Sequence, residues 1–146
     1  MDAIDQEQAR LQNIMVSIGA VVSALLFPWV LLLVVLYLGH SIVWEECAKA
    51  LLVFFVISKS TTNKWSYLSS ALVGLTFGVS ETMLYAGQLI QSGQWSVIVE
   101  RFLITVPMHT ATAVVLALVC KKDRRLLPLG LLLALGIHWL FNRVVG

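Results

Sequence analysis

Apolar residues fall into five runs along the chain, each near the roughly 20 residues a helix needs to cross a bilayer, and polar residues gather in the short breaks between them. The pattern predicts helices over Asn13 to Leu38, Ser41 to Ser58, Ser66 to Ile90, Val97 to Cys120 and Leu126 to Val145. The break Gly39-His40-Ser41 is so short that the first two helices must form a tight antiparallel hairpin, and Pro28 should kink the first. No repeat, linker or low-complexity segment interrupts the series. Residues 1–146 therefore read as one domain, an all-α polytopic membrane protein built as a bundle of about five transmembrane helices around a polar intramembrane site.

Composition strengthens this reading. Hydrophobic residues make up 59% of the chain and charged residues only 12%, against about 25% charged in soluble domains, and the mean hydropathy is +0.88. The polar stretches are too short to bury a core of their own, which excludes a soluble enzyme tethered by an anchor, so any chemistry lies among the helices. Ten Lys and Arg against eight Asp and Glu give a net charge of +2 spread over short loops, which disfavours nucleic acid as a partner. Cys47 and Cys120 lie in apolar segments without metal-type spacing and read as free thiols. The first twelve residues lack the basic start and small-residue cleavage site of a secretory signal, so the first apolar segment is expected to be retained.

Loop charge predicts orientation. Lys59 and Lys64 lie between the second and third segments, and Lys121, Lys122, Arg124 and Arg125 between the fourth and fifth, whereas Gln91 to Ser96 carries no charge. By the positive-inside rule the two basic loops are cytoplasmic, which places the N-terminus inside and the C-terminus outside.

Against this apolar background stand Glu45, Glu46 and Lys49 in the second segment, Glu81 in the third, Arg101 and His109 in the fourth, and His138 with Asn142 in the fifth. Each ionisable group near a bilayer centre costs roughly 2.5 to 3.5 kcal/mol, so these residues must largely satisfy one another. At about 1.5 Å per residue, Glu46, Glu81, His138 and His109 lie roughly 8, 13, 10 and 18 Å below the outer ends of their helices, a common layer. Glu45 and Glu46 stand four and three residues before Lys49 on one helical face, and His138 stands one turn from Asn142. Gly74 and Gly78 allow another helix close to the Phe77 and Glu81 face, and Pro107 should open room near His109.

Two imidazoles and a carboxylate form the donor set of a zinc site with an open position for water. His109 and His138 are the candidates, completed by Glu81 or Asn142, and Glu45 or Glu46 is then placed to take a proton from the bound water. That combination hydrolyses amides. The same groups can instead orient water by hydrogen bonds with one glutamate protonated, so Zn2+ is a candidate cofactor and not a requirement. Two rival readings use the same residues: a silent scaffold whose polar core fixes helix packing, and a small proton-coupled transporter with Glu81 and the histidines as its relay. Arg101 at the outer surface suits snorkelling, His40 a loop, Cys47 a buried inert thiol, and Trp44, Trp65, Trp95 and Trp139 an interfacial belt.

Taken in order, Glu45-Glu46-Cys47-Ala48-Lys49, Phe77-Gly78-Val79-Ser80-Glu81, Pro107-Met108-His109 and His138-Trp139-Leu140-Phe141-Asn142 resemble the PrsW family of intramembrane proteases, within the wider group of CAAX prenyl proteases and bacteriocin-processing enzymes. The second block sides with PrsW, because the wider group carries histidine where Glu81 stands. The resemblance implies an intramembrane endopeptidase of a prokaryotic cell membrane that cleaves a membrane protein or lipid-anchored peptide. Glu45 and Glu46 would supply the base, Lys49 would accompany them, and His109, His138 and Asn142 would hold metal or water. Relatives usually carry more helices, so a second copy or a partner subunit is a candidate to complete the fold. The orientation is tested by a cysteine probe at Ser92, which a reagent added from outside should modify, and one at Asn63, which it should not. The reverse pattern would invert the topology.

Overall fold

The computed structural model describes residues 3–39, 41–91, 93 and 95–145, so the readings made for His40 and the loop position Ser92 lie outside the described residues. Five long helices follow one another: α1 (Ala3–Leu38), α2 (Ser41–Lys59), α3 (Asn63–Gln91), α4 (Trp95–Lys122) and, after a single 3-10 turn at Arg124–Leu126, α5 (Leu127–Val145). Asp123 starts that turn, its carboxylate accepting the Arg125 amide at 2.9 Å. Gly39 closes α1 with φ +65°, a conformation glycine adopts without penalty, and its amide donates to the Val35 carbonyl at 2.9 Å.

The first helix begins at Ala3 and not at Asn13 because its polar start is rich in helix formers and because its next turn is tied down. Gln12 donates to the Lys59 carbonyl at 2.8 Å, Asn13 donates to the Thr61 hydroxyl at 2.6 Å, and the Thr61 amide returns a bond to Asn13 at 2.9 Å. Higher up, the Ser17 and Ser69 hydroxyls meet at 2.6 Å and Ser80 donates to the Leu25 carbonyl at 2.6 Å. Both α1 and α4 run as continuous helices through Pro28 and Pro107.

Three stretches, Ile4–Leu38, Trp95–Lys122 and Arg124–Val144, are long and apolar enough to cross a membrane. The expectation of five such helices is met by these three on length and composition. α2 falls short because Glu45, Glu46 and Lys49 lie in its apolar run, and α3 because serines and threonines dilute it. Their polar residues face inward: Glu46, Lys49, Ser66, Ser69, Ser70, Ser80 and Thr82 are all buried. α2 is the central helix and touches α1, α3, α4 and α5. Its Val53 and Val56 join Val73, Phe77, Ala113, Leu116 and Ala117 in the apolar core.

α3 and α4 approach most closely where the glycines stand. A Cβ on Gly74 would come within 2.7 Å of the Thr110 Cα and 2.8 Å of the Ala113 Cβ, and one on Gly78 within 2.8 Å of the Val106 Cα. These absent methyl groups bring the His109 backbone against α3. Gly74→Ala should therefore destabilise the detergent-solubilised protein by about 1 to 3 kcal/mol, read as a lowered melting midpoint. Gly136→Ala, where a Cβ meets nothing within 4 Å, should leave the midpoint unchanged or raised. Equal behaviour of the two variants would contradict the α3–α4 contact.

Candidate active site

Lys49 is fully buried and is the hub of the site. An ammonium group has three N–H donors and no acceptor, and all three find partners: Glu46 Oε1 at 2.6 Å, His109 Nδ1 at 2.7 Å and Thr112 Oγ1 at 2.8 Å. These partners come from α2 and α4, so one side chain ties the two helices together. Because Lys49 donates to Nδ1, that nitrogen accepts, and the His109 Nε2–H donates to Glu81 Oε2 on α3. Glu46 Oε1 receives a second bond from His138 Nδ1 at 2.7 Å, which brings in α5. The two imidazoles meet edge to face with centroids 5.0 Å apart, and Phe77 closes the floor, its ring 5.5 Å from His109 and 5.4 Å from the Lys49 nitrogen.

Glu45, Glu46, Lys49, Glu81, His109 and His138 are thus gathered from four helices into one cluster. Asn142 is not. It lies one turn beyond His138 on α5, and its side chain is exposed and forms no hydrogen bond among the described residues. Arg101 also stays outside, stacked 5.1 Å over the Tyr85 ring with no salt bridge among the described residues. Thr112, the third acceptor for Lys49, was not apparent from the sequence; its only signal is a hydroxyl placed three residues after His109 in an apolar run. Cys47 is half-buried and Cys120 buried, both as free thiols.

Access to the cluster is one-sided. Glu46, Lys49, His109 and His138 are at most 2% exposed, whereas the side chains of Glu45 and Glu81 are 12% and 15% exposed. Those two carboxylates line a cavity of about 140 Å³ bounded by Pro28, Leu31 and Leu32 of α1 and by Leu84 and Tyr85 of α3. The groove beside Pro107, by contrast, is lined by Leu75, Val106, Thr110 and other apolar neighbours and by none of the ionisable groups. The opening next to the chemistry is at Pro28 and not at Pro107.

A metal ion is compatible with the donor set. Ligand atoms of Glu45, His109 and His138 lie within 4.8 Å of one another. His138 Nε2 and Glu45 Oε2 are 3.7 Å apart, too far for a hydrogen bond and close to the roughly 3.3 Å that separates two ligands on a tetrahedral ion with bonds of about 2.0 to 2.1 Å. The other nitrogen of His138 is held by Glu46, the carboxylate partner that orients a metal-bound imidazole. An ion there would compete with Glu81 for His109 Nε2. Two further observations agree. Oε2 of Glu46 is buried without a hydrogen-bond partner among the described residues, and three carboxylates, when all ionised, outweigh the single ammonium by two charges with both imidazoles neutral.

Long apolar helices and a buried cluster of catalytic-type residues mark an integral membrane protein with the equipment of a hydrolase. A sequence profile of the PrsW family of intramembrane metalloproteases matches residues 11–146, nearly the whole chain, and the chain belongs to that family. No curated protein and no solved structure gives a significant match.

Proposed function

We propose that this protein is an intramembrane endopeptidase whose reaction is carried by the two carboxylates facing the cavity, Glu45 and Glu81, together with His109 and His138. The observation that carries the reading is the convergence of ligand atoms of Glu45, His109 and His138 within 4.8 Å of one another, with Glu45 also lining a cavity. All five helices cross the bilayer, α2 and α3 included, because their polar groups are spent on one another. The basic loops set the N-terminus in the cytoplasm and the C-terminus outside.

Glu45, His109 and His138 would hold a divalent cation, zinc by its donor types, and the bound ion would supply Lewis acidity toward the peptide carbonyl and toward water. The chain's own groups do the rest. Glu81 faces the same cavity as Glu45 and is placed to accept the proton of the attacking water. Glu81 then gives that proton to the departing amine. Glu46 is a positioning residue: its Oε1, shared by Lys49 and His138, fixes both side chains. Lys49 keeps the cluster's negative charge in check. The apolar walls restrict water to the cavity.

Glu81→Gln keeps size and hydrogen bonding but removes the base, so it should reduce cleavage of a membrane peptide by about 100-fold or more while the melting midpoint changes little. Undiminished cleavage by Glu81→Gln would overturn the assignment. Elemental analysis of the active wild type should find about one divalent cation per chain, and Glu45→Gln or His138→Ala should lose it. Active protein with only trace metal would leave a hydrolase in which the same groups orient water by hydrogen bonds alone.

A further inference from the structure

The helix that walls the cavity is attached unevenly. Hydrogen bonds between α1 and the rest of the bundle among the described residues involve Gln12, Asn13, Ser17 and the Leu25 carbonyl. From Pro28 to Leu38 none is present, and most side chains there point outward: Leu33 is 61% exposed and Leu36 71%. This half-helix is bounded at one end by Pro28, which lacks the N–H that would bond the Ala24 carbonyl, and at the other by Gly39 with its positive φ. It is joined to the bundle by apolar contact alone, and both of its ends carry backbone features that bend easily. Behind it lie Glu45 and Glu81, the only exposed edge of the reactive cluster.

The cavity also indicates what passes behind this half-helix. Its apolar walls, Leu31, Leu32, Val35 and Leu84, end at two carboxylates and at the hydroxyl-bearing residues Ser41 and Tyr85. Carboxylates need donors. A membrane-spanning helix offers none along its backbone, because each N–H is already bonded within the helix, whereas an unwound stretch frees them. We propose that the Pro28–Leu38 half of α1 is a lateral gate, and that the ligand admitted behind it is a locally unwound segment of a membrane-spanning peptide, whose free backbone N–H groups bond Glu45 and Glu81. The proposal rests on the protease reading for its consequence, cleavage, but not for binding.

The test uses the full-length protein in liposomes with two synthetic single-span peptides, one carrying a Gly-Pro break and the other leucine at the same two positions. A photo-reactive benzoylphenylalanine replaces Leu84 in the cavity or, in a separate protein, Leu75 in the groove between α3 and α4. The gate predicts crosslinking of the Gly-Pro peptide from position 84 at least tenfold above that from position 75 and above that of the leucine peptide from position 84. Equal crosslinking at the two positions, preference for position 75, or no crosslinking at position 84 would overturn it. Because crosslinking does not require cleavage, crosslinking at position 84 without any proteolysis would refute the protease reading and leave the gate standing. Filling the cavity with Leu32→Trp should reduce crosslinking from position 84 and cleavage by tenfold or more with the melting midpoint and metal content unchanged. Leu75→Trp, which adds the same bulk in the other groove, should do neither, and a Leu32→Trp protein that cleaves at the wild-type rate would contradict the route.

Discussion

Burying the ammonium of Lys49 among four helices is the constraint on which this structure depends. A charge in that setting is tolerable only when every donor it carries is answered, and the answering groups here come from Glu46 on its own helix and from His109 and Thr112 on α4. Glu46 in turn recruits His138, and His109 recruits Glu81, so a single unmet charge propagates into a network joining α2, α3, α4 and α5. Apolar packing distinguishes poorly between helix arrangements in a bilayer, where the lipid is as apolar as the core. A polar network with fixed partners supplies the specificity that packing lacks.

The same network leaves a deliberate asymmetry. The groups that hold the helices together are sealed, while Glu45 and Glu81 retain a measure of exposure. Sealed and accessible carboxylates are thereby separated within one cluster. Glu46 and Lys49 neutralise each other and stay fixed, and the second glutamate of the adjacent pair is released to face the cavity. This gives two neighbouring acids, Glu45 and Glu46, different tasks on the same helix, because one residue of offset turns their side chains about 100° apart. In a member of an intramembrane metalloprotease family, the proposed mechanism gives the chemistry to Glu45 and a positioning role to Glu46.

Much of this was legible in the sequence because charge within an apolar run is costly to bury and therefore informative. The i,i+3 spacing of Glu46 and Lys49 placed them on one face, and similar depths in oppositely running helices put Glu81, His109 and His138 near their level. Other features were not legible, for physical reasons. Helical spacing puts Asn142 above His138, but one further turn carries it past the end of the cluster into an exposed position. Arg101 stands among the ionisable residues of the apolar runs, but it stacks on Tyr85 outside the cluster. Proline marks where a helix is weakened but not which helix faces the chemistry, so Pro107 drew attention that belonged to Pro28. Thr112 carries no charge and is an ordinary residue in an apolar helix, so only the position of its partner reveals its role.

The dependence of the fold on the Lys49–Glu46 pair is open to direct measurement by a double-mutant cycle on thermal unfolding in detergent. Lys49→Met and Glu46→Gln should each destabilise the protein by about 3 to 5 kcal/mol, because each leaves its partner buried and unanswered. The double variant removes both unanswered groups and should lose far less than the sum, a coupling of about 2 kcal/mol or more between residues in contact. Additive losses, or single variants as stable as the wild type, would show that the bundle stands without this pair and would contradict the account built on it.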